Sequence, residues 1–133
     1  MGMEQFDPVV PPDRTFQAVV GLEVGEPDAE VMTGTVVVGD HHKQPFGIVH
    51  GGVYATIAET LASIGTAIGV LADGKQAMGL SNATSFLRPV TEGTIHATAR
   101  RIHRGRTTWL WDVEMRDDAG RLAAITRMTI AVR

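Results

Sequence analysis

The residues best equipped for chemistry fall between positions 44 and 63, in the order Gln44, His50, Gly51, Gly52, Glu59, Ser63. Glu59 is the one charged side chain among the 22 residues between His50 and Asp73. A carboxylate in apolar surroundings is costly to bury unless it is paired or used. No Lys, Arg or His lies within four positions of it to form a same-helix ion pair. Two readings stay open: a glutamate held by Thr56, Ser63 or a strand residue, or a general base or nucleophile shielded from water. His50-Gly51-Gly52 stands where a helix would begin, with its first N–H groups unpaired and its dipole favouring negative charge. Glycine leaves the backbone bare enough for a carbonyl oxygen to reach the Gly51 N–H, the geometry of an oxyanion hole. The plainer alternative is a loop-to-helix turn that needs glycine. Gly51 and Glu59 are eight residues apart, a rise of about 12 Å on a helix. A carbonyl held at Gly51 is therefore out of contact with Glu59 of the same chain. If both act on one carbonyl, a second chain supplies the glutamate, and two antiparallel helices about a two-fold axis would create two such composite sites.

Charge is unevenly spread. Residues 1–75 hold ten acidic and three basic side chains, whereas residues 76–133 hold five acidic side chains and nine Arg. Four of those Arg and one His fall in seven residues, Arg100-Arg101-Ile102-His103-Arg104-Gly105-Arg106. Such a run reads as a phosphate clamp, because the guanidinium fork binds two oxygens at once, or as a sheet edge protected by charge. Nucleic acid is a poor fit to a chain of net charge −3 with few aromatic residues near its Arg. His41, His42 and His50 lack a zinc-ligand spacing, so no metal site is expected, and Asp40, His41 and His42 read as loop surface. The chain has no Cys, which excludes a disulfide scaffold, a thiolate metal site and a cysteine nucleophile. There is no phosphate loop, dinucleotide fingerprint or nucleophile elbow.

The elements that must position these residues are legible from periodicity. Apolar residues at Val53, Ile57, Leu61, Ile64, Ile68 and Leu71 recur at helical spacing. By length alone this stretch could span a membrane, but Thr56, Glu59, Ser63 and Thr66 make one polar stripe, which predicts a buried helix of a non-membrane protein. Six strands are expected: Phe16–Val24 and Glu30–Val38 before the helix, then Ala77–Leu87, Gly93–Ile102, Thr107–Met115 and Arg121–Val132. Asp117–Gly120 reads as a hairpin turn, and Trp109 and Trp111, on one face, as core or interface packing. The order β-β-α-β-β-β-β predicts an α+β fold, an antiparallel meander with one long helix across a face. Its open edges favour pairing with a second copy. Residues 1–14, with three Pro and three acids, read as an arm before a domain at 15–133. With neither a basic start nor an apolar leader run, a cytoplasmic location is expected.

Taken together, Gln44-x5-His50-Gly51-Gly52-x6-Glu59-x3-Ser63, with Arg88-Pro89-Val90 and His103-x-Gly105-Arg106, resembles the hotdog-fold acyl-CoA thioesterases. The nearest branch is the PaaI-like and glutamate-type 4-hydroxybenzoyl-CoA thioesterases. The resemblance covers about residues 15–133 and implies a curved sheet wrapped around the central helix, with the site between two subunits. It implies that the Gly51 N–H polarises a thioester carbonyl and that Glu59 of the partner chain attacks it or activates water. Gln44 and His50 orient substrate or water, with His50 also able to brace the loop, and Ser63 holds the water. Gly52, Arg88, Arg104, Gly105 and Arg106 become candidates for binding the substrate and its CoA moiety. Ser63 stands where some relatives have Thr, which keeps the hydroxyl.

The activity this implies is hydrolysis of an aromatic or medium-chain acyl-CoA to free acid and CoA by a homodimer, or a dimer of dimers. No cofactor is expected beyond the CoA of the substrate. The alternatives are a dehydratase or hydratase of acyl thioesters, in which His50 and Glu59 shuttle protons, and a non-enzymatic acyl-CoA-binding protein. Phe46, Tyr54, Leu71 and Met78 are candidate linings of the acyl pocket.

Overall fold

The computed structural model describes residues 8–133, so the first seven residues of the expected arm lie outside the described part. Pro12–Arg14 form one turn of 3-10 helix. The segment Phe16–Val24, expected as a strand, is instead a short helix, α1 (Phe16–Val20), followed by a two-residue strand, β1 (Glu23–Val24). Local capping overrides the β propensity of this segment: Thr15 Oγ1 accepts the Ala18 N–H, and Gly21 closes the helix with a left-handed φ of 74°.

The remaining elements follow the expected order: β2 (Val31–Val37), α2 (Gly51–Val70), β3 (Ala77–Phe86), β4 (Thr94–Arg104), β5 (Thr108–Arg116) and β6 (Leu122–Val132). They form one antiparallel six-stranded sheet in the order β1-β2-β4-β5-β6-β3. The simple meander is corrected here. β1 lies beside β2, and β4, β5 and β6 follow one another in space, but β3 crosses to the far edge and pairs with β6 from Ala77↔Val132 to Phe86↔Ala124. That crossing carries α2 over the sheet face between β2 and β3.

Alternation along the strands directs Met32 and Val36 of β2, Ile95, Ala97 and Ala99 of β4, and Trp109, Trp111, Val113 and Met115 of β5 toward α2. The helix answers with Val53, Ile57, Ala58, Leu61, Ala62 and Thr66. Close approach depends on a missing side chain: a Cβ added at Gly65 would stand 2.5 Å from the Trp111 ring. The tryptophan pair is core, both rings being essentially inaccessible. Trp111 Nε1–H donates to Thr66 Oγ1 at 2.9 Å, and that hydroxyl donates in turn to the Ala62 carbonyl.

The helix is not buried all round. Gly52 and Glu59 are exposed and Ala55, Thr56 and Ser63 half-buried, forming a face that the sheet does not cover. Beside it lies β3, an edge strand in which only Ala77 and Thr84 are even partly buried, with Met78 and Leu80 exposed.

Thr66→Val keeps the volume but leaves a buried indole N–H without an acceptor. It is expected to lower the unfolding free energy by about 1–3 kcal/mol, read as a fall in the urea midpoint at unchanged m-value.

Candidate active site

The loop before α2 folds back on itself. Lys43 and Val49 form an antiparallel bridge, and the Gln44 N–H donates to the Ile48 carbonyl at 2.9 Å. The Val49 N–H donates to the Val90 carbonyl, fixing this hairpin to the strand-like segment after β3. Within the hairpin, Gln44 Oε1 accepts the Phe46 N–H at 2.5 Å. With its oxygen held by the backbone, the Gln44 amide presents its NH2 as the end available to another molecule.

His50 caps α2. Its Nδ1 accepts the Gly52 N–H at 2.8 Å. A ring nitrogen that accepts carries no proton, so the neutral imidazole bears its proton on Nε2. The His50 carbonyl accepts the Val53 N–H at 3.0 Å. Of the first three N–H groups of the helix, two are thereby satisfied. The third, that of Gly51, has no acceptor among the described residues and stands at the positive end of a twenty-residue helix dipole.

A cleft of about 600 Å³ opens at this point, lined by Gln44, His50, Gly51, Gly52 and Arg88 together with Tyr54 and Phe86. Five predicted site residues and one predicted lining, Tyr54, therefore share one cavity. The Phe86 ring lies against the helix start so closely that a Cβ on Gly51 would be 2.7 Å from it. Its centroid is 6.2 Å from that of Tyr54, giving the cleft an aromatic wall. The Tyr54 hydroxyl is enclosed without a hydrogen-bond partner among the described residues, and burial, followed by the charge of Asp117, raises its pKa. The other expected linings are not part of this wall: Phe46 is 91% exposed, and Leu71 and Met78 lie elsewhere.

The cleft gathers hydrogen-bond donors, and among the described residues no carboxylate lines it. Glu59 lies two turns along α2 on the uncovered face. The expected buried setting of Glu59 is corrected: in the single chain Glu59 is exposed, with no hydrogen-bond or ion-pair partner among the described residues, so of the two readings the one in which Thr56 or Ser63 holds it is set aside. Thr56 Oγ1 donates instead to the Gly52 carbonyl. The carboxylate lies along β3, where the absent side chain of Gly79 leaves it room; a Cβ there would be 2.9 Å from Glu59 Oε1. One position of the polar stripe, Thr66, faces the core, and Ser63 is half-buried away from the cleft.

The arginines divide likewise. Arg88 lines the donor cleft, whereas Arg104, Gly105 and Arg106 line a recess of about 320 Å³ at the other end of α2, with Lys75 and Trp109. Arg104 donates to the Gly69 carbonyl at 3.2 Å, and its guanidinium stands 4.8 Å from the centre of the Trp109 ring. Arg101 lies over the same ring at 5.1 Å.

Two residues of this region escaped the sequence reading. Phe86 closes the cleft through a contact across 35 positions that no local pattern announces. His42, read as loop surface, is 3% exposed, with both ring nitrogens engaged by backbone groups.

Known proteins resemble this chain in sequence and fold. A family model described as the thioesterase superfamily matches residues 46–124. The chain is 34% identical over 118 residues to the 1,4-dihydroxy-2-naphthoyl-CoA hydrolase of Listeria monocytogenes, covering 89% of this chain and 95% of that protein. It is 30% identical over 113 residues to the proofreading thioesterase EntH of Cronobacter turicensis, covering 85% and 82%. Among solved structures, a mutant of thioesterase PA1618 from Pseudomonas aeruginosa superposes with a TM-score of 0.85 at 32% identity, covering 90% of this chain and 86% of that one.

Gly51→Ala is expected to lower the thermal midpoint by forcing the Phe86 ring off the helix start, and Phe86→Ala in the same chain to recover most of that loss. Independent, additive losses in the two variants would show that the ring and Gly51 do not compete for space.

Proposed function

The chain belongs to the thioesterase superfamily, and from that premise we propose that this thioester hydrolase acts on an aromatic or medium-chain acyl-CoA in a site shared by two subunits. The observation that carries this reading is the separation of the two halves of the chemistry. The Gly51 N–H, the Gln44 NH2 and the His50 Nε2–H edge one cleft as donors, and the carboxylate sits about 12 Å along the same helix, facing outward.

In the proposed reaction the thioester carbonyl oxygen sits on the Gly51 N–H, with Gln44 and His50 beside it. Negative charge growing on that oxygen meets a preorganised donor at a helix N-terminus. Glu59 of a second subunit attacks the carbonyl carbon, or removes a proton from a water held near Ser63 that does so. Collapse of the tetrahedral species breaks the C–S bond and the thiolate of CoA takes up a proton; where water attacked, the free acid leaves directly, and where Glu59 attacked, the acyl–Glu59 anhydride is hydrolysed by a water molecule that frees the acid and restores the carboxylate. His50 acts as a donor throughout, because its Nδ1 is tied to Gly52. A proton shuttle through that nitrogen, as a dehydratase would need, would have to break the helix cap.

The uncovered helix face and the exposed β3 edge support a dimer. The open outer edge of this ten-residue strand, with Met78, Leu80 and Phe86 exposed to solvent, invites a second copy. Packing two α2 helices antiparallel, with Gly51 opposite the partner's Glu59, extends each helix C-terminus about 16 Å past the partner's helix start. The recess with Lys75 and Arg106 then stands a pantetheine arm's reach from the carbonyl. The subunit that gives the carboxylate thus also gives the cations for the CoA phosphates, with Arg88 of the other subunit nearer the thioester. Arg104 is already occupied at the helix end and contributes chiefly by holding the Trp109 platform. Tyr54 and Phe86 wall the acyl end, which favours a flat aromatic acyl group over a medium aliphatic one.

The test is turnover of aromatic and aliphatic acyl-CoAs, followed by thiol release. Glu59→Ala is expected to lose at least about a hundredfold in kcat, and Glu59→Asp less, because the carboxylate survives on a shorter stem. Near-normal turnover by Glu59→Ala would remove the proposed role. Arg106→Ala is expected to raise KM about tenfold for an acyl-CoA, a loss typical of one charge-assisted contact. It is expected to leave KM unchanged for the same acyl group carried on N-acetylcysteamine, which has no phosphates. An equal rise for both substrates would place Arg106 elsewhere in the reaction.

A further inference from the structure

His42 joins three segments by hydrogen bonds, through its two ring nitrogens and its backbone carbonyl. Its Nε2 meets the Val20 carbonyl, the orphan carbonyl at the end of α1, at 2.5 Å. Its Nδ1 accepts the Gly39 N–H at 2.9 Å. Its own carbonyl accepts the His50 N–H, the last amide before α2, at 2.8 Å. The side chain is 3% exposed and its ring lies 3.8 Å from that of His41. One nitrogen faces a carbonyl and the other faces an N–H, so both bonds can form only in the neutral ring with its proton on Nε2.

These bonds bracket the loop that carries two of the three donors. Gln44 and His50 belong to a hairpin closed by Lys43 and Val49, with His42 at its base. The far side of that base is α1, whose Val20 and the adjoining Leu22 are in the core beneath. We propose that His42 is a positioning residue: it fixes the donor loop to the core so that the Gln44 amide and the His50 imidazole stay aimed into the cleft beside Gly51. His42 touches no substrate in this arrangement, and it acts only through Gln44 and His50. The kinetic part of this inference rests on the thioesterase reading; the ordering of the loop does not.

The experiment uses the full-length protein with His42→Leu, which removes both ring bonds, and His42→Gln, which can keep the donor to Val20. Amide hydrogen exchange is read first. In His42→Leu, protection of the Gln44 and His50 N–H groups is expected to fall at least about tenfold while the β5 and β6 amides keep theirs, as expected for local rather than global opening. Unchanged protection at both amides overturns the proposal whether or not the protein hydrolyses thioesters. Turnover is read second, on an acyl-CoA that the wild type hydrolyses. His42→Leu is expected to lose about tenfold or more in kcat with little change in KM, and His42→Gln to recover part of it. In a background carrying both Gln44→Ala and His50→Ala the same His42→Leu change is expected to cost much less, because both groups it positions are gone. A full, additive loss in that background would make His42 merely structural and overturn the proposal. A wild type with no thioesterase turnover would refute the functional reading alone, leaving hydrogen exchange to decide the role of His42.

Discussion

A single N–H group left without an acceptor organises this molecule. The Gly51 amide stands at the start of a twenty-residue helix with no acceptor among the described residues, while the next two amides are satisfied: the His50 imidazole takes the Gly52 N–H and the His50 carbonyl takes the Val53 N–H. An unmade hydrogen bond at a helix N-terminus is a standing attraction for an oxygen that is gaining charge. The loop before it is built to the same end, with the Gln44 oxygen held by Phe46 so that only the NH2 faces outward.

The rest of the fold keeps that amide in place. The helix is drawn onto the sheet by the absence of a side chain at Gly65, which lets Trp111 approach, and by the hydrogen bond from that ring to Thr66. Asn82 of β3 donates to the Ala55 carbonyl, midway between Gly51 and Glu59, and through Thr84 it is linked to Thr126 of β6. The helix segment separating donor from carboxylate is thus clamped to the edge strand, and its length sets their separation. One helix therefore points its donor into a cleft of its own subunit and its acid outward.

Much of this was legible in the sequence because it is periodic or local. The long helix, β2, the last four strands and the Asp117–Gly120 turn announce themselves by spacing and by turn residues. The distance between Gly51 and Glu59 followed from helical rise alone. What was not legible depends on contacts far apart in the chain or on caps that override propensity. Thr15 and Gly21 turn a β-rich segment into α1. The placement of β3 beside β6 is decided by packing under the helix, which no strand carries in its own residues. His42 resembles any loop histidine until α1 brings a carbonyl to it. Glu59 was expected to be buried because its helix neighbours are apolar, yet the sheet covers only one side of that helix.

The division of donor and acid between two subunits is tested most directly by complementation. Two differently tagged chains, one carrying Glu59→Ala and the other His50→Ala, are co-expressed and the mixed dimer isolated. Each variant as a homodimer lacks one half of every site. The mixed dimer brings one intact donor cleft against one intact carboxylate, so it is expected to regain about half of the wild-type turnover, one site of two. A mixed dimer no more active than the two homodimers would contradict a shared site.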